Sequence, residues 1–150
     1  MGTIFNEDFQ DFISPLNEQQ VNYMLVGGFA VILHGYARTT GDMDIWVERT
    51  SQNYTNLKKA FDQFGMSVFE MTETNFLSHP DWNVFTFGEP PVAIDIMINV
   101  KGLEFEACYQ KSEIFEDAEI RIRTIDLNHL ITAKKSSRRP KDLNDLENLK

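Results

Sequence analysis

The segment Tyr23–Val47, YMLVGGFAVILHGYARTTGDMDIWV, decides which fold the chain can adopt. It opens with four largely apolar residues typical of a buried strand, turns at Gly27-Gly28, and continues into Phe29–Leu33, an apolar run that predicts a short helix. It closes on Asp42–Val47, where polar and apolar residues alternate as they do in a strand. The segment therefore predicts a strand, a tight turn, a helix and a second strand.

The flanking sequence predicts further helices and strands. Apolar spacing indicates helices over residues 6–18, with Pro15 counting against the last turns, over 51–64 and from Leu127, and a final helix after Pro140 with three leucines facing inward (Leu143, Leu146 and Leu149). Strands are predicted over residues 84–87 and 92–98, joined as a hairpin through Gly88–Pro91, and over 120–122. Helices that alternate with strands, followed by a hairpin, indicate an α/β or α+β fold with a mixed β-sheet flanked by helices.

The composition fits one globular domain. A chain of 150 residues buries enough surface for one core but not for two domains and a linker, so we expect residues 1–150 to form a single domain. The net charge of -9 opposes binding to long nucleic acids. A local exception is the segment 134–150, which holds six basic and three acidic residues and could serve as a focused phosphate site.

Other features concern the cellular location. The single Cys108 excludes an intrachain disulfide, and no Cys/His spacing indicates zinc. The N-terminus does not resemble a secretion signal, and the apolar part of the longest uncharged stretch, residues 19–37, is too short to span a bilayer. We therefore expect a cytoplasmic protein that does not bind membranes.

Two carboxylates stand on the second predicted strand. Asp42 and Asp44 are two residues apart, so both project from one face while Met43 and Ile45 point to the other. Like charges this close repel each other unless a cation lies between them, and oxygen ligands suit Mg²⁺ or Mn²⁺. The alternative is an exposed strand face that carries two hydrated aspartates.

A third carboxylate lies in the most apolar run of the chain. Asp95 interrupts residues 92–98, where a buried carboxylate needs a partner charge or a metal. The alternative is an edge strand whose Asp95 face is wet. If this strand lies beside that of Asp42 and Asp44, three carboxylates converge and could hold two divalent ions for phosphoryl or nucleotidyl transfer.

The glycine pair Gly27-Gly28 is a candidate phosphate site. Glycines between a strand and a helix let backbone N–H groups approach an anion, and the helix N-terminus adds a positive dipole. The alternative is a tight turn without a ligand. The pair forms neither a Walker A loop nor the G-x-G-x-x-G pattern of dinucleotide sites.

Basic candidates lie in the predicted C-terminal helices. Lys134 shares the inward stripe of three apolar residues (Leu127, Leu130 and Ile131), and an ammonium placed there needs an anion. The alternative is a lysine that snorkels at the helix end. Lys135, Arg138 and Arg139 are interpreted as a solvated basic end, from which Arg139 could reach a phosphate.

The remaining polar and aromatic side chains have ordinary structural interpretations. Asp142 and Asp145, one helical turn apart, are interpreted as a helix cap or as partners of neighbouring basic residues. His34 is interpreted as a helix-end histidine, and Trp46 is assigned to the core. Trp82 lies in a polar loop, where it could stack on a base.

The pattern as a whole resembles a known family. Val26–Gly28, then thirteen residues, then Asp42–Ile45, with Ile94–Ile96 further on, is similar to the nucleotidyltransferase superfamily of DNA polymerase beta. The stretch Leu25–Asp44 resembles a small bacterial branch that includes minimal nucleotidyltransferases, abortive-infection type toxins and, more distantly, lincosamide-modifying enzymes. Leu130–Leu146 is similar to the C-terminal helix pair of that branch.

The resemblance implies a role for each matching residue. Asp42 and Asp44 would be ligands of both metal ions, and Asp95 would be the third carboxylate, a further metal ligand that activates the attacking hydroxyl. Gly27-Gly28 would be the triphosphate cradle.

Further residues are implied to bind the nucleotide. They are Arg38, Thr40, Lys134 and Arg139, although an ion pair with an aspartate is an equally natural use of Arg38. Gly28 stands where many relatives carry Ser, so this chain lacks the hydroxyl contact that a serine would make to phosphate.

These observations predict a metal-dependent nucleotidyltransferase. It would use Mg²⁺ or Mn²⁺ and pass a nucleoside monophosphate from a nucleoside triphosphate to a hydroxyl acceptor, with loss of pyrophosphate. The acceptor stays open among a protein side chain, a transfer RNA end and a small molecule. The alternatives are a catalytically silent module of the same fold that binds a protein partner, as in a toxin–antitoxin pair, and an α/β domain without a ligand.

Overall fold

The computed structural model describes residues 7–38, 40–89, 92–117 and 119–149. The helices within these ranges are α1 (Glu7–Glu18), α2 (Gly27–Leu33), α3 (Ser51–Phe64), α4 (Glu73–Ser78), α5 (Phe105–Lys111), α6 (Leu127–Ser137) and α7 (Pro140–Asn148). The strands are β1 (Tyr23–Val26), β2 (Asp42–Val47), β3 (Val84–Glu89), β4 (Val92–Met97), β5 (Glu113–Asp117) and β6 (Ile120–Thr124).

The described strands form one mixed sheet in the order β3-β4-β2-β1-β6-β5. β2 runs antiparallel to β1 and parallel to β4, and β1 runs parallel to β6. The β3–β4 and β5–β6 pairs are antiparallel and supply the two edges. The predicted α+β fold with a mixed sheet is confirmed, and β1 and β2 from the segment quoted first occupy its centre.

The core lies on the sheet face to which Met43, Ile45 and Val47 point, and these side chains are buried as the alternation on β2 predicts. On that side α1 packs against α3, where the rings of Phe12 and Phe61 meet edge to face at 5.5 Å. Burying each such apolar side chain stabilises the fold by about 1.5 to 3 kcal/mol.

Helix ends follow the expected local chemistry. The Thr50 hydroxyl accepts a hydrogen bond from Asn53 N at 3.2 Å and begins α3, and Gly65 ends it with φ of 90°. The caution about Pro15 is wrong, because α1 continues to Glu18. A single proline costs one backbone hydrogen bond, whereas the apolar side of α1 is buried.

Several boundaries differ from the prediction. α2 begins at Gly27 instead of Phe29, so the glycine pair forms its first turn. The helices α4 and α5 and the strand β5 were not predicted. Of the predicted hairpin turn, Gly88 and Glu89 belong to β3, and Pro90 and Pro91 lie outside the described residues.

The inward leucines predicted for the last helix are correct only in part, because Leu149 is buried and Leu146 is half-buried. Leu143, predicted to face the core, is 47% exposed, while Asp142 and Asp145 are buried. The physical reason is that these carboxylates pair with the buried Lys134 and with Arg38 and Arg139. Among the helices of the described residues, none is long and apolar enough to cross a bilayer.

Candidate active site

The carboxylates predicted to converge stand on adjacent parallel strands. Asp44 on β2 is paired in register with Asp95 on β4, and residues directly paired in a sheet project from the same face. Asp42 lies two residues before Asp44 and is exposed, whereas Asp44 and Asp95 are half-buried. Because β4 lies between β3 and β2, the edge-strand alternative for Asp95 is wrong.

The carboxylates repel one another. The pKa of Asp44 is raised from 3.8 to about 7, first because burial disfavours its charged form and then because Asp95 and Asp42 carry like charges. Lys141 opposes this shift only in part. Asp44 is therefore only partly ionised near neutral pH unless another positive charge is supplied.

The oxygen donors fit a divalent cation in their chemistry. Within the described part of the chain, however, no three His, Cys, Asp or Glu side chains are gathered into a ready-made metal site. The uncompensated negative charge around Asp44 is what an Mg²⁺ or Mn²⁺ ion would neutralise, and such ions usually keep several non-protein ligands. Asp42, Asp44 and Asp95 therefore fit a metal ion whose remaining ligands come from a bound substrate and from water.

Gly27 is required by both its backbone and its surroundings. Its φ is +68°, in the left-handed region that favours glycine. A Cβ on Gly27 would lie only 2.9 Å from Cγ of Asp44 and closer still to a carboxylate oxygen. The backbone of the cradle thus touches the carboxylate cluster directly, and any side chain at this position would push Asp44 aside.

Gly28 is constrained by the opposite wall of the cleft. A Cβ there would lie 2.9 Å from Cβ of Thr40 and 3.0 Å from Nη2 of Arg38, with the Thr40 hydroxyl nearer still. The structure therefore brings Gly27, Gly28, Arg38 and Thr40 together around one space beside Asp44.

Lys134 points inward, as its helical spacing predicts. It is 4% exposed, and its Nζ lies 3.1 Å from Oδ1 of Asp142 and 3.1 Å from Oδ2 of Asp145. The snorkelling alternative is therefore wrong. The anion that this ammonium needs is present within the protein, on α7.

The same aspartates hold two more cations of the cleft. Nε of Arg38 lies 3.0 Å from Oδ1 of Asp145, which is the ion pair considered as one use of Arg38. Nε of Arg139 donates to Oδ2 of Asp142 at 2.8 Å, and its backbone N–H does so at 3.1 Å. The interpretation of Asp142 and Asp145 as a cap and as partners of basic residues is confirmed.

Asp142 is ionised despite its burial. Burial alone would raise the pKa of this carboxyl, but hydrogen bonds from Arg139, Ser137 and Lys134 hold it well below its usual range. The helix pair α6–α7 therefore presents a cationic wall whose side chains are already fixed by internal carboxylates.

The site is a cleft with a polar and an apolar part. The polar part has a volume of about 340 Å³, and all nine predicted site residues line it, with two more. The residues that line it are Gly27, Gly28, Arg38, Thr40, Gly41, Asp42, Asp44, Asp95, Lys134, Arg139 and Lys141. The adjoining apolar part, about 250 Å³, shares Gly27, Asp44, Lys134 and Arg139 with it and adds Val26, Met97, Asn99, Val100, Lys101, Leu130, Ala133, Ser137 and Asp142. A polyanion and an apolar group could thus lie side by side.

Two residues near the carboxylates were not predicted. The Thr86 hydroxyl on β3 donates to Oδ1 of Asp95 at 2.7 Å, and Lys141 lines the polar part of the cleft. The sequence identifies Thr86 only as a polar residue in an alternating strand. Its contact with Asp95 depends on the register of β3 with β4, which the sequence does not specify. Trp82, considered for base stacking, instead stacks on Phe85 with ring centroids 5.0 Å apart.

The family to which the chain belongs is shown by its sequence. A sequence profile described as "nucleotidyltransferase of unknown function (DUF6036)" matches residues 5–150, and the chain belongs to this family. The resemblance inferred from the glycine pair and the carboxylates is therefore confirmed at the level of the superfamily. A comparison with curated proteins gives no match.

Solved structures with the same fold include two that hold a small molecule. ANT(2″)-Ia in complex with adenylyl-2″-tobramycin aligns with a TM-score of 0.60 and 16% identity, over 93% of this chain and 83% of that one. The lincosamide antibiotic adenylyltransferase LnuA, bound to lincomycin, aligns with a TM-score of 0.61 and 16% identity, over 99% of this chain and 98% of that one. At this identity the likeness shows the fold alone.

Proposed function

We propose that this protein is a metal-dependent nucleotidyltransferase that passes a nucleoside monophosphate from a nucleoside triphosphate to a hydroxyl group. The observation that carries the proposal is the pairing of Asp44 with Asp95 on parallel strands, directly against the Gly27 backbone. Carboxylates for a metal and a glycine cradle for phosphate thus meet within one cleft.

The triphosphate would bind in the polar part of the cleft. Backbone N–H groups in the first turn of α2, at Gly27 and Gly28, suit phosphate oxygens because they carry the positive end of the helix dipole. Lys134 and Arg139, which line the same part of the cleft, add positive charge from α6 and from the start of α7. The adjoining apolar part offers a place for an uncharged ring of the substrate.

Asp42, Asp44 and Asp95 would hold Mg²⁺ or Mn²⁺. A divalent ion in such a cluster neutralises the negative charge of the transferring phosphoryl group and aligns the groups around it. The pKa of Asp44 is raised first by burial and then by the like charges of Asp95 and Asp42, which supports this assignment because a bound cation would stabilise the ionised carboxylate.

Asp95 would act as the base. The acceptor oxygen attacks the α-phosphorus, the bond from that phosphorus to the α,β-bridging oxygen breaks, pyrophosphate leaves, and the acceptor proton passes to Asp95. The hydrogen bond that the Thr86 hydroxyl donates to Asp95 fixes the position of the Asp95 carboxylate. Since the cradle follows β1 and Asp95 stands on β4, in-line displacement brings the acceptor from the β3 side of the sheet.

The donor and the acceptor are proposed from the relatives of known structure. Adenylyl-tobramycin and lincomycin are bound by the two proteins compared above, so ATP and a small-molecule hydroxyl are the first pair to test. The net charge of -9 disfavours a long nucleic acid.

The proposal is tested by pyrophosphate release. Each of the four nucleoside triphosphates is incubated with the protein, Mg²⁺ and tobramycin or lincomycin, and with Asp95→Asn in place of the wild type. Asp95→Asn should lower the rate by at least about 100-fold, because it removes the base. Asp62→Asn, an exposed change on α3, is the matched control. Nucleotide binding without any pyrophosphate release would instead support the silent binding module.

A further inference from the structure

The space beside the Gly28 backbone is filled from the other side of the cleft. Thr40, two residues before Asp42, places its side chain where a substituent on Gly28 would go, with 2.9 Å between the Thr40 Cβ and an ideal Cβ on Gly28. Gly28 has no left-handed φ, unlike Gly27. Position 28 must therefore be glycine because a side chain has no room there: Thr40 fills most of the space, and the flexible end of Arg38 lies beside it.

Thr40 is also chemically distinct within the polar part of the cleft. Among the described residues that line this part, it carries the sole hydroxyl; the other side chains are carboxylates, cations or glycines. A hydroxyl can donate to a phosphate oxygen without adding charge, and it can rotate to suit the ligand. Its position between the Gly28 backbone and the strand of Asp42 puts it beside both the cradle and the carboxylates.

We infer that Thr40 supplies the hydroxyl ligand of the bound triphosphate, and that it does so from the space that a side chain at position 28 would occupy. A serine at position 28 would bring a hydroxyl into the same volume from the α2 side, so the two positions are alternative sources of one contact. The inference rests on the proposed function, because it assigns a ligand within the same phosphate cradle.

The geometry makes a reciprocal exchange testable. Thr40→Val keeps the shape of the side chain and removes the hydroxyl, whereas Thr40→Ser keeps the hydroxyl. Gly28→Ser alone forces a clash with Thr40. Gly28→Ser combined with Thr40→Gly removes the clash and provides the hydroxyl from the α2 side.

Binding is measured by calorimetry with magnesium tripolyphosphate, a probe that carries no base, and repeated with MgATP. Thr40→Val should weaken both by about tenfold, the effect of one hydrogen bond to a charged group, while Thr40→Ser stays within about twofold of the wild type. Gly28→Ser should bind at least tenfold more weakly than the wild type, and the double variant should recover most of that loss. Thr55→Val, an exposed change on α3, is the control.

The melting temperature of each variant shows that the fold is intact, and Thr40→Ala replaces Thr40→Val if the latter does not fold. Wild-type affinity in the variant without the hydroxyl would overturn the inference. If the double variant binds the probes no more tightly than Gly28→Ser does, positions 28 and 40 are not alternative sources of one hydroxyl contact. If the wild type binds neither probe, the proposed function itself fails, so the two failures are distinguishable.

Discussion

The ammonium of Lys134 lies 3.1 Å from Oδ1 of Asp142, and both side chains are buried. Asp145 meets the same ammonium and also Arg38, so two carboxylates of α7 hold cations that line the polar part of the cleft. A buried cation needs such partners before any substrate arrives. The positions of Lys134 and Arg38 are therefore set by ion pairs within the fold, before any phosphate binds.

Lys134→Met should destabilise the protein as well as weaken phosphate binding. The change leaves Asp142 and Asp145 buried with one cation fewer, and breaking a buried ion pair from one side typically costs about 3 kcal/mol or more. Unfolding in urea measures the loss. The sequence alone predicts that the Lys134 ammonium needs an anion, and the ion pairs on α7 show that the protein itself supplies it.

Lys135→Met is the matched control, because Lys135 is the next residue on α6 and is exposed. It should change the free energy of unfolding by less than about 0.5 kcal/mol. Equal effects of the two changes would contradict a specific role for the buried pair.

The stability of the metal-free protein should fall as the pH rises from about 4 to 7. The pKa of Asp44 is about 7 in the fold against 3.8 as its ordinary value, so between these values the folded state binds a proton that the unfolded chain releases. The stabilising effect of that proton is fully present below the lower pKa and is lost as the pH passes the upper one.

Melting temperatures at pH 5, 6, 7 and 8 in the presence of a chelator measure this effect. Asp44→Asn lacks the titrating group, so the difference between the wild type and this variant should shift in favour of the variant with rising pH and level off above pH 7. Added Mg²⁺ should stabilise the wild type most at pH 8, where the proton no longer competes. A difference that is independent of pH would contradict the assignment.

Gly27→Ala should abolish nucleotide binding, whereas Gly65→Ala should not. Both glycines have positive φ, +68° and +90°, so backbone strain alone should cost each variant about 1 kcal/mol of stability. A Cβ at Gly27 collides with Asp44, whereas no atom lies within 4 Å of a Cβ at Gly65. Calorimetry with MgATP should separate the two variants. Equal binding by both would contradict the claim that a side chain at position 27 disturbs the nucleotide site.

Thr86→Val should lower kcat by about tenfold and leave the KM for the nucleotide within twofold. Thr86 donates to Asp95 and does not line the polar part of the cleft, so its loss should disturb the base and not the phosphates. The exposed Thr132 provides the control, as Thr132→Val. A rise in KM with an unchanged kcat would place Thr86 in binding instead.

The central part of the fold follows from local rules. The alternation on Asp42–Val47 predicts its buried face, Gly65 predicts the end of α3, and helical spacing predicts that Lys134 faces inward. Each of these depends on residues close together in the chain, where backbone geometry and side-chain period decide the outcome.

The remaining features depend on long-range pairing. The register of Asp44 with Asp95 joins strands about fifty residues apart, and no local pattern specifies it. β5 is an edge strand in which no residue is fully buried, so it lacks the apolar alternation that would have predicted it. On α7 the prediction for Leu143 is wrong, because Asp142 and Asp145 point inward to pair with their cations. Leu149 is buried as predicted.

The most direct test of nucleotidyl transfer uses ATP labelled on either the α- or the γ-phosphate. Each is incubated with Mg²⁺ and the wild-type protein or Asp44→Asn, with tobramycin, lincomycin and the protein itself as possible acceptors. We expect the α-label in an acceptor product, the γ-label only in pyrophosphate, and a loss of at least about 100-fold in Asp44→Asn. Transfer of the γ-label, unchanged activity in Asp44→Asn, or no turnover with any nucleoside triphosphate would contradict the account.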